Sequence, residues 1–225
     1  MALTVKICGL KDEAALDAAV ETGADMVGLV LFARSPRNVS LTRAAELAGR
    51  ARGRAEIVAL VVDPDPNWLH DAVTALSPDW VQFHGTEAPA ALAAWRPRLK
   101  SRLMKALPIA RPEDLAAATA YAPVVDRLLF DARPPQGADR PGGHGQPFDW
   151  SLLRGADPAT HYMLSGGLTP ANVAAAVAAT GAPGVDVSSG VESAPGVKDP
   201  RLIRAFVTAA RGAVVPMRTT TRLAS

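Results

Sequence analysis

Several polar or glycine residues stand directly behind short apolar runs, where a strand would end and a loop begin. Cys8 closes TVKIC, Arg37 lies in the RSPR that follows MVGLVLFA, His84 follows WVQF, and Asp131 follows RLLF. Further along, Ser165-Gly166-Gly167 follows HYML, and Ser188-Ser189-Gly190 follows GVDV. Each type suits a different task. A thiol beside a cation is a usable base or nucleophile, although a lone cysteine is also a common small buried hydrophobe. The Asp131 carboxyl is either a catalytic acid or base or a loop-capping group, and position alone leaves the two even. Arg37 has the planar fork that holds a substrate anion, or else is a surface arginine ahead of a helix cap at Ser40. His84 points the same way as Gln82, and either orients a substrate or is a satisfied histidine at the rim. The two Ser/Gly segments let backbone N–H groups approach an anion such as phosphate. Glycine and serine also dominate ordinary turns.

What must position these residues is a repeating unit. Apolar runs recur at residues 4–8, 26–31, 57–62, 80–83, 102–106, 127–130, 161–164 and 184–187. Ala-rich amphipathic stretches follow most of them, at 11–21, 41–51, 87–95, 112–121, 169–180 and 199–211. Thr169-Pro170 reads as a helix opening, with Thr as cap and Pro in the first turn. Eight candidate strands in 225 residues give a mean period of about 28 residues, the size of a βα unit. Strict alternation implies a parallel sheet, and eight units fit a closed (β/α)8 TIM barrel of class α/β. An open doubly wound sheet is the competitor, but no G-x-G-x-x-G follows the first strand. In a barrel, the positions above all fall at the C-terminal ends of strands, where active sites of this fold sit. Alternation also turns Lys6 and Cys8 to the barrel axis while Val5 and Ile7 face the helices. Asp186 and Ser188 stand in the same relation on the eighth strand, which neighbours the first on closure, so Lys6 and Asp186 are expected to pair.

Composition narrows the class of protein. With 24 Lys+Arg against 22 Asp+Glu the formal net charge is +2, and no Lys/Arg block exists of the kind that binds nucleic acid. The longest apolar runs are too short to span a bilayer, and the first residues do not read as a signal peptide. One cysteine excludes an internal disulfide. The four histidines show no metal-ligand spacing and there is no C-x-x-C, so no metal is expected. A cytoplasmic protein is expected, with a catalytic barrel over residues 1–212 and a non-periodic, flexible tail over 213–225. The Gly/Pro-rich segment 134–147 reads as a long loop after the sixth strand.

The motifs carry a resemblance across nearly the whole chain. Residues 5–10 (VKICGL), 23–39 (GADMVGLVLFARSPRNV), 81–87 (VQFHGTE), 128–131 (LLFD), 142–145 (GGHG) and 148–150 (FDW) contribute to it. So do 164–173 (LSGGLTPANV) and 184–199 (GVDVSSGVESAPGVKD). Together they resemble the phosphoribosylanthranilate isomerases of tryptophan biosynthesis. The resemblance implies an Amadori rearrangement of N-(5-phosphoribosyl)anthranilate to 1-(2-carboxyphenylamino)-1-deoxyribulose 5-phosphate. It further implies Asp131 as general acid at the ring oxygen and Cys8 as general base at C2′. Arg37 would hold the anthranilate carboxylate, and Gly166, Gly167, Ser188, Ser189 and Gly190 the phosphate. No cofactor is implied, because the substrate's own imine is the electron sink. The family includes monomers and homodimers, so the resemblance leaves the oligomeric state open. Two positions depart from the pattern: His144 stands where Thr or Ser is usual, and Phe83 replaces an aliphatic residue but is expected to face the helices. Among other ribose-phosphate barrels, an epimerase lacks its metal ligands here, and an indole-glycerol-phosphate synthase would have only Lys105 as a candidate catalytic lysine. A non-catalytic phosphate-binding relative is the third alternative.

Overall fold

The computed structural model describes residues 2–135, 137–138, 142–143, 148–155 and 161–214. The eight strands are β1 (Thr4–Cys8), β2 (Met26–Val30), β3 (Glu56–Val61), β4 (Trp80–Phe83), β5 (Arg102–Ile109), β6 (Arg127–Ala132), β7 (Tyr162–Leu164) and β8 (Gly184–Val187). They pair in parallel in chain order, and β1 closes on β8 through Thr4 opposite Gly184 and Lys6 opposite Asp186. The fold is a closed (β/α)8 barrel, and the open-sheet alternative falls. β5 and β6 run further than their apolar cores suggest because they stay paired as far as Ile109 opposite Ala132. That extension carries Asp131 to the mouth on a strand rather than on a loop.

Among the described residues seven α-helices wrap the outside: α1 (Glu13–Glu21), α2 (Leu41–Ala51), α3 (Pro66–Leu76), α4 (Pro89–Trp95), α5 (Ala116–Tyr121), α6 (Val173–Thr180) and α7 (Pro200–Arg211). Their starts are written in short polar side chains. Asp12, Ser40, Asp65 and Asp199 each accept a first-turn backbone N–H, and Pro66 and Pro200 occupy positions that need no N–H donor. The expected opening at Thr169-Pro170 is corrected. The Asn172 side-chain oxygen accepts the Thr169 N–H at 2.7 Å and its amide donates to the Gly167 carbonyl at 3.0 Å, so a turn precedes α6. Between β6 and β7 the described residues hold a 3-10 stretch, Trp150–Gly155.

A second regularity fixes the opposite rim. Asp25, Asp79 and Asp126 each stand one residue before a strand, immediately ahead of Met26 of β2, Trp80 of β4 and Arg127 of β6. Their carboxylates accept the N–H of Val5, Ile57 and Leu103 on the preceding strand, at 2.7, 2.8 and 2.7 Å. These bonds satisfy backbone donors at the strand starts that would otherwise be left unpaired.

Alternation along the strands builds two cores. Val5, Ile7, Val81, Phe83, Val185 and Val187 pack outward against the helices. Met26, Val58, Trp80, Met104, Ala106, Leu129 and Met163 fill the barrel below the mouth. Phe83 therefore belongs to the outer core, as its position on β4 predicts. A further pair of strands was not foreseen: β9 (Glu192–Ala194) and β10 (Val197–Lys198) form an antiparallel hairpin after β8. The expected tail, from residue 215 on, and His144 lie outside the described residues.

Candidate active site

A cavity opens at the C-terminal end of the barrel. Cys8, Arg37, His84, Asp131, Gly166, Gly167, Ser188 and Ser189 all line it, so residues from six different strand ends meet there. Gly190 does not line it. It lies behind, against the Leu168 carbonyl, with no room for a side chain between the β7 and β8 loops. Val30, Phe32, Leu60 and Val62 supply an apolar wall.

Cys8 is buried, and the Lys6 ammonium below it pairs with Asp186 at 2.7 Å. Burial pushes the Cys8 thiol up from its ordinary value, Lys6 pulls it down, and Asp186 pushes it up again, for a net rise. The cation expected to favour the thiolate is therefore present but does not outweigh burial. Lys6 itself is disfavoured as a cation by burial, yet Asp186 and Cys8 more than offset this and raise it. On the neighbouring strand Gly28 leaves the space Cys8 occupies: a Cβ there would stand 2.8 Å from Sγ.

Asp131 accepts the Ala132 N–H at 2.9 Å, and its other oxygen lies 3.3 Å from His84 Nε2. His84 Nδ1 is 3.2 Å from the Gln82 side-chain amide. His84 is thus turned to the carboxyl as well as to the cavity. Gly142 passes over both, where a Cβ would sit 2.7 Å from Asp131 and 2.8 Å from His84.

Arg37 is not a surface arginine. Its Nε and one terminal nitrogen hold Glu192 at 2.7 and 2.9 Å, and the same terminal nitrogen reaches the Gly143 carbonyl at 3.2 Å. Lys198 donates to Glu192 at 2.6 Å and to the Ser188 carbonyl at 2.9 Å. Burial alone would push the Glu192 carboxyl up, but Arg37 and Lys198 hold it below its ordinary value. Glu192 and Lys198 fall within the 184–199 motif that carries the family resemblance, but neither is given a role by the sequence.

The Gly166 and Gly167 N–H groups have no protein acceptor among the described residues. Both glycines have positive φ, 84° and 66°, and Gly166 packs so near Ala132 that a Cβ would be 2.6 Å from its nitrogen. The helix N-terminus expected beside them is displaced to Val173. Lys105 points outward beneath the β4 loop, bonded to Glu87 at 2.7 Å and the Gly85 carbonyl at 2.6 Å, and does not line the cavity. That removes the one candidate lysine of a synthase reading. Among the described residues no cluster of His, Cys, Asp or Glu is arranged to hold a metal, and no helix is long and apolar enough to cross a membrane.

A parallel barrel with a polar cavity at its C-terminal mouth defines a (β/α)8-barrel enzyme. The family model of N-(5′-phosphoribosyl)anthranilate isomerase matches residues 5–209. A protein of that name from Afipia carboxidovorans is 57% identical over 213 residues, 95% of this chain and 91% of its own length. The crystal structure of phosphoribosyl anthranilate isomerase from Thermotoga maritima is 32% identical, with a TM-score of 0.84 over 93% of this chain and 99% of its own. Another solved phosphoribosyl anthranilate isomerase holds reduced 1-(o-carboxyphenylamino)-1-deoxyribulose 5-phosphate; it is 30% identical, with a TM-score of 0.81 and the same shares covered. The chain belongs to the N-(5′-phosphoribosyl)anthranilate isomerase family.

Proposed function

We propose that the protein converts N-(5-phosphoribosyl)anthranilate to 1-(2-carboxyphenylamino)-1-deoxyribulose 5-phosphate, with Asp131 as general acid and Cys8 as general base. The observation that carries this reading is that Cys8 and Asp131, from β1 and β6, line the same cavity together with Arg37. Asp131 gives its proton to the furanose ring oxygen, and the C1′–O bond opens to an imine. Cys8 then takes the C2′ proton, the imine accepts the electron pair, and the enolamine tautomerises to the ketone. Acid and base catalysis of this kind supplies about 10²–10⁴-fold each. Arg37 holds the anthranilate carboxylate, His84 orients Asp131 and the substrate, and the aromatic ring rests on Phe32 and its apolar neighbours. The Gly166, Gly167, Ser188 and Ser189 segments hold the phosphate, with Gly190 keeping the two loops together. The working unit is one catalytic domain over residues 1–212, cytoplasmic, acting on a small phosphorylated molecule without a cofactor.

The test follows anthranilate-type fluorescence after adding freshly made phosphoribosylanthranilate to wild type, Cys8→Ala and Asp131→Ala. Wild type should turn it over, and each variant should lose about 10²-fold or more. No turnover by wild type removes the function, and full activity in either variant removes that residue's role.

A further inference from the structure

Glu192 and Lys198, on the hairpin beside the mouth, are buried charges with no place in the acid–base steps. Glu192 is surrounded by donors. One oxygen accepts from Arg37 Nε at 2.7 Å and Lys198 Nζ at 2.6 Å, and the other from Arg37 at 2.9 Å and the Gly196 N–H at 3.2 Å. The hairpin is seated on the loop that carries Arg37, since Gly196 packs directly against the Pro36 carbonyl, where a Cβ would be 2.5 Å away. Lys198 and Glu192 face each other in the strand register.

We infer that Glu192 is a positioning residue for substrate recognition: it fixes one edge of the Arg37 guanidinium so that the other edge meets the substrate carboxylate. The inference rests on the proposed role of Arg37. A guanidinium has two bidentate edges, and Glu192 takes the one that contains Nε. The second edge, which shares a nitrogen with the first, is turned to Gly143: the shared nitrogen donates to the Gly143 carbonyl at 3.2 Å, and the other terminal nitrogen stays available to a substrate carboxylate. Lys198 makes this arrangement electrostatically workable. A carboxylate bound to Arg37 would by itself cancel the charge meant for the substrate. With Lys198 on the same carboxylate, the three groups sum to one positive charge, and Arg37 stays attractive to an anion. Three acceptors surround Lys198, the Glu192 carboxylate and both oxygens of Ser188, which suits the three donors of an ammonium.

The experiment compares binding of two ligands by calorimetry. One is the reduced product, 1-(2-carboxyphenylamino)-1-deoxypentitol 5-phosphate, and the other is its counterpart with an unsubstituted phenyl ring. Wild type should prefer the carboxylate ligand. Glu192→Gln should weaken that ligand by about tenfold and leave the phenyl ligand within about twofold, because only the carboxylate reads the set of Arg37. With the natural substrate the same change should raise KM more than it lowers kcat. Glu192→Asp, which keeps the charge but withdraws it by one methylene, should lose selectivity in the same direction. Equal weakening of both ligands, or undiminished preference in both variants, overturns the inference. A wild type with no preference for the carboxylate ligand overturns instead the reading of Arg37 on which it rests.

Discussion

Lys6 and Asp186, 180 residues apart in the chain, form an ion pair of 2.7 Å inside the barrel, directly beneath Cys8. Closure of β1 on β8 makes the pair, with the two residues opposite each other in the register. Breaking one side leaves a largely buried charge without its partner. Lys6→Met should destabilise the protein by about 3–5 kcal/mol, and the double change Lys6→Met, Asp186→Leu should recover most of that. Urea unfolding of the two variants checks it; equal losses in both would mean that the charge is not what matters.

The same pair sets a pH dependence of stability. Lys6 is raised above its ordinary value in the folded state. Its contribution is therefore fully present below 10.5 and is lost as pH rises through the higher folded value. Stability should fall in alkali, and the fall should be smaller in the double variant. Thermal unfolding between neutral pH and the alkaline range measures both.

Catalysis should run the opposite way with pH. Burial raises the Cys8 thiol above its ordinary value of 9.0, and only the thiolate takes a proton. For the free enzyme, kcat/KM should climb through the mildly alkaline range, with no plateau below about the ordinary thiol value. An ascending limb complete by neutral pH would assign the base to another group.

Gly28 tests the packing around that thiol. Gly28→Ala would place a Cβ 2.8 Å from Cys8 Sγ and 3.1 Å from its Cα. The expected result is a cost of about 1–3 kcal/mol in stability and about a tenfold or greater loss of kcat from misplacement of the base. Unfolding curves and steady-state kinetics separate the two effects, and unchanged kinetics would show that Cys8 tolerates displacement.

Gly190→Ala acts at a distance from the reacting atoms. A Cβ there collides with the Leu168 carbonyl and must part the β7 loop from the β8 loop. KM for the phosphorylated substrate should rise by about tenfold or more, because both loops are proposed to share one phosphate. Titration with inorganic phosphate as a competitive ligand gives the same answer without turnover.

Much of the barrel is legible in the chain because its information is local. The period of apolar runs, the alternation within each run, and a capping residue such as Ser40 act over a few residues. They suffice to place Cys8, His84 and Asp131 at strand ends and to aim Lys6 inward. Asn172 shows where local reading stops. Thr169-Pro170 has the residues of a helix start, but the Asn172 side chain takes the Thr169 N–H and holds a turn in its place. The β9–β10 hairpin has strands of three and two residues, too short to show a period of their own.

The sequence by itself determined the fold class, the inward and outward faces of β1, β4 and β8, and the strand ends where function gathers. Apart from the Lys6–Asp186 pair, which alternation and closure already imply, only the tertiary structure decided which charges meet. Arg37 and Glu192 are 155 residues apart, and Cys8 feels Lys6, Asp186 and Lys198 at once. Such contacts depend on barrel closure and on the seating of one loop upon another. So does the balance at Cys8, because burial is a property of everything packed around the thiol. Periodicity turned a cation toward that thiol; only the folded barrel set burial against it.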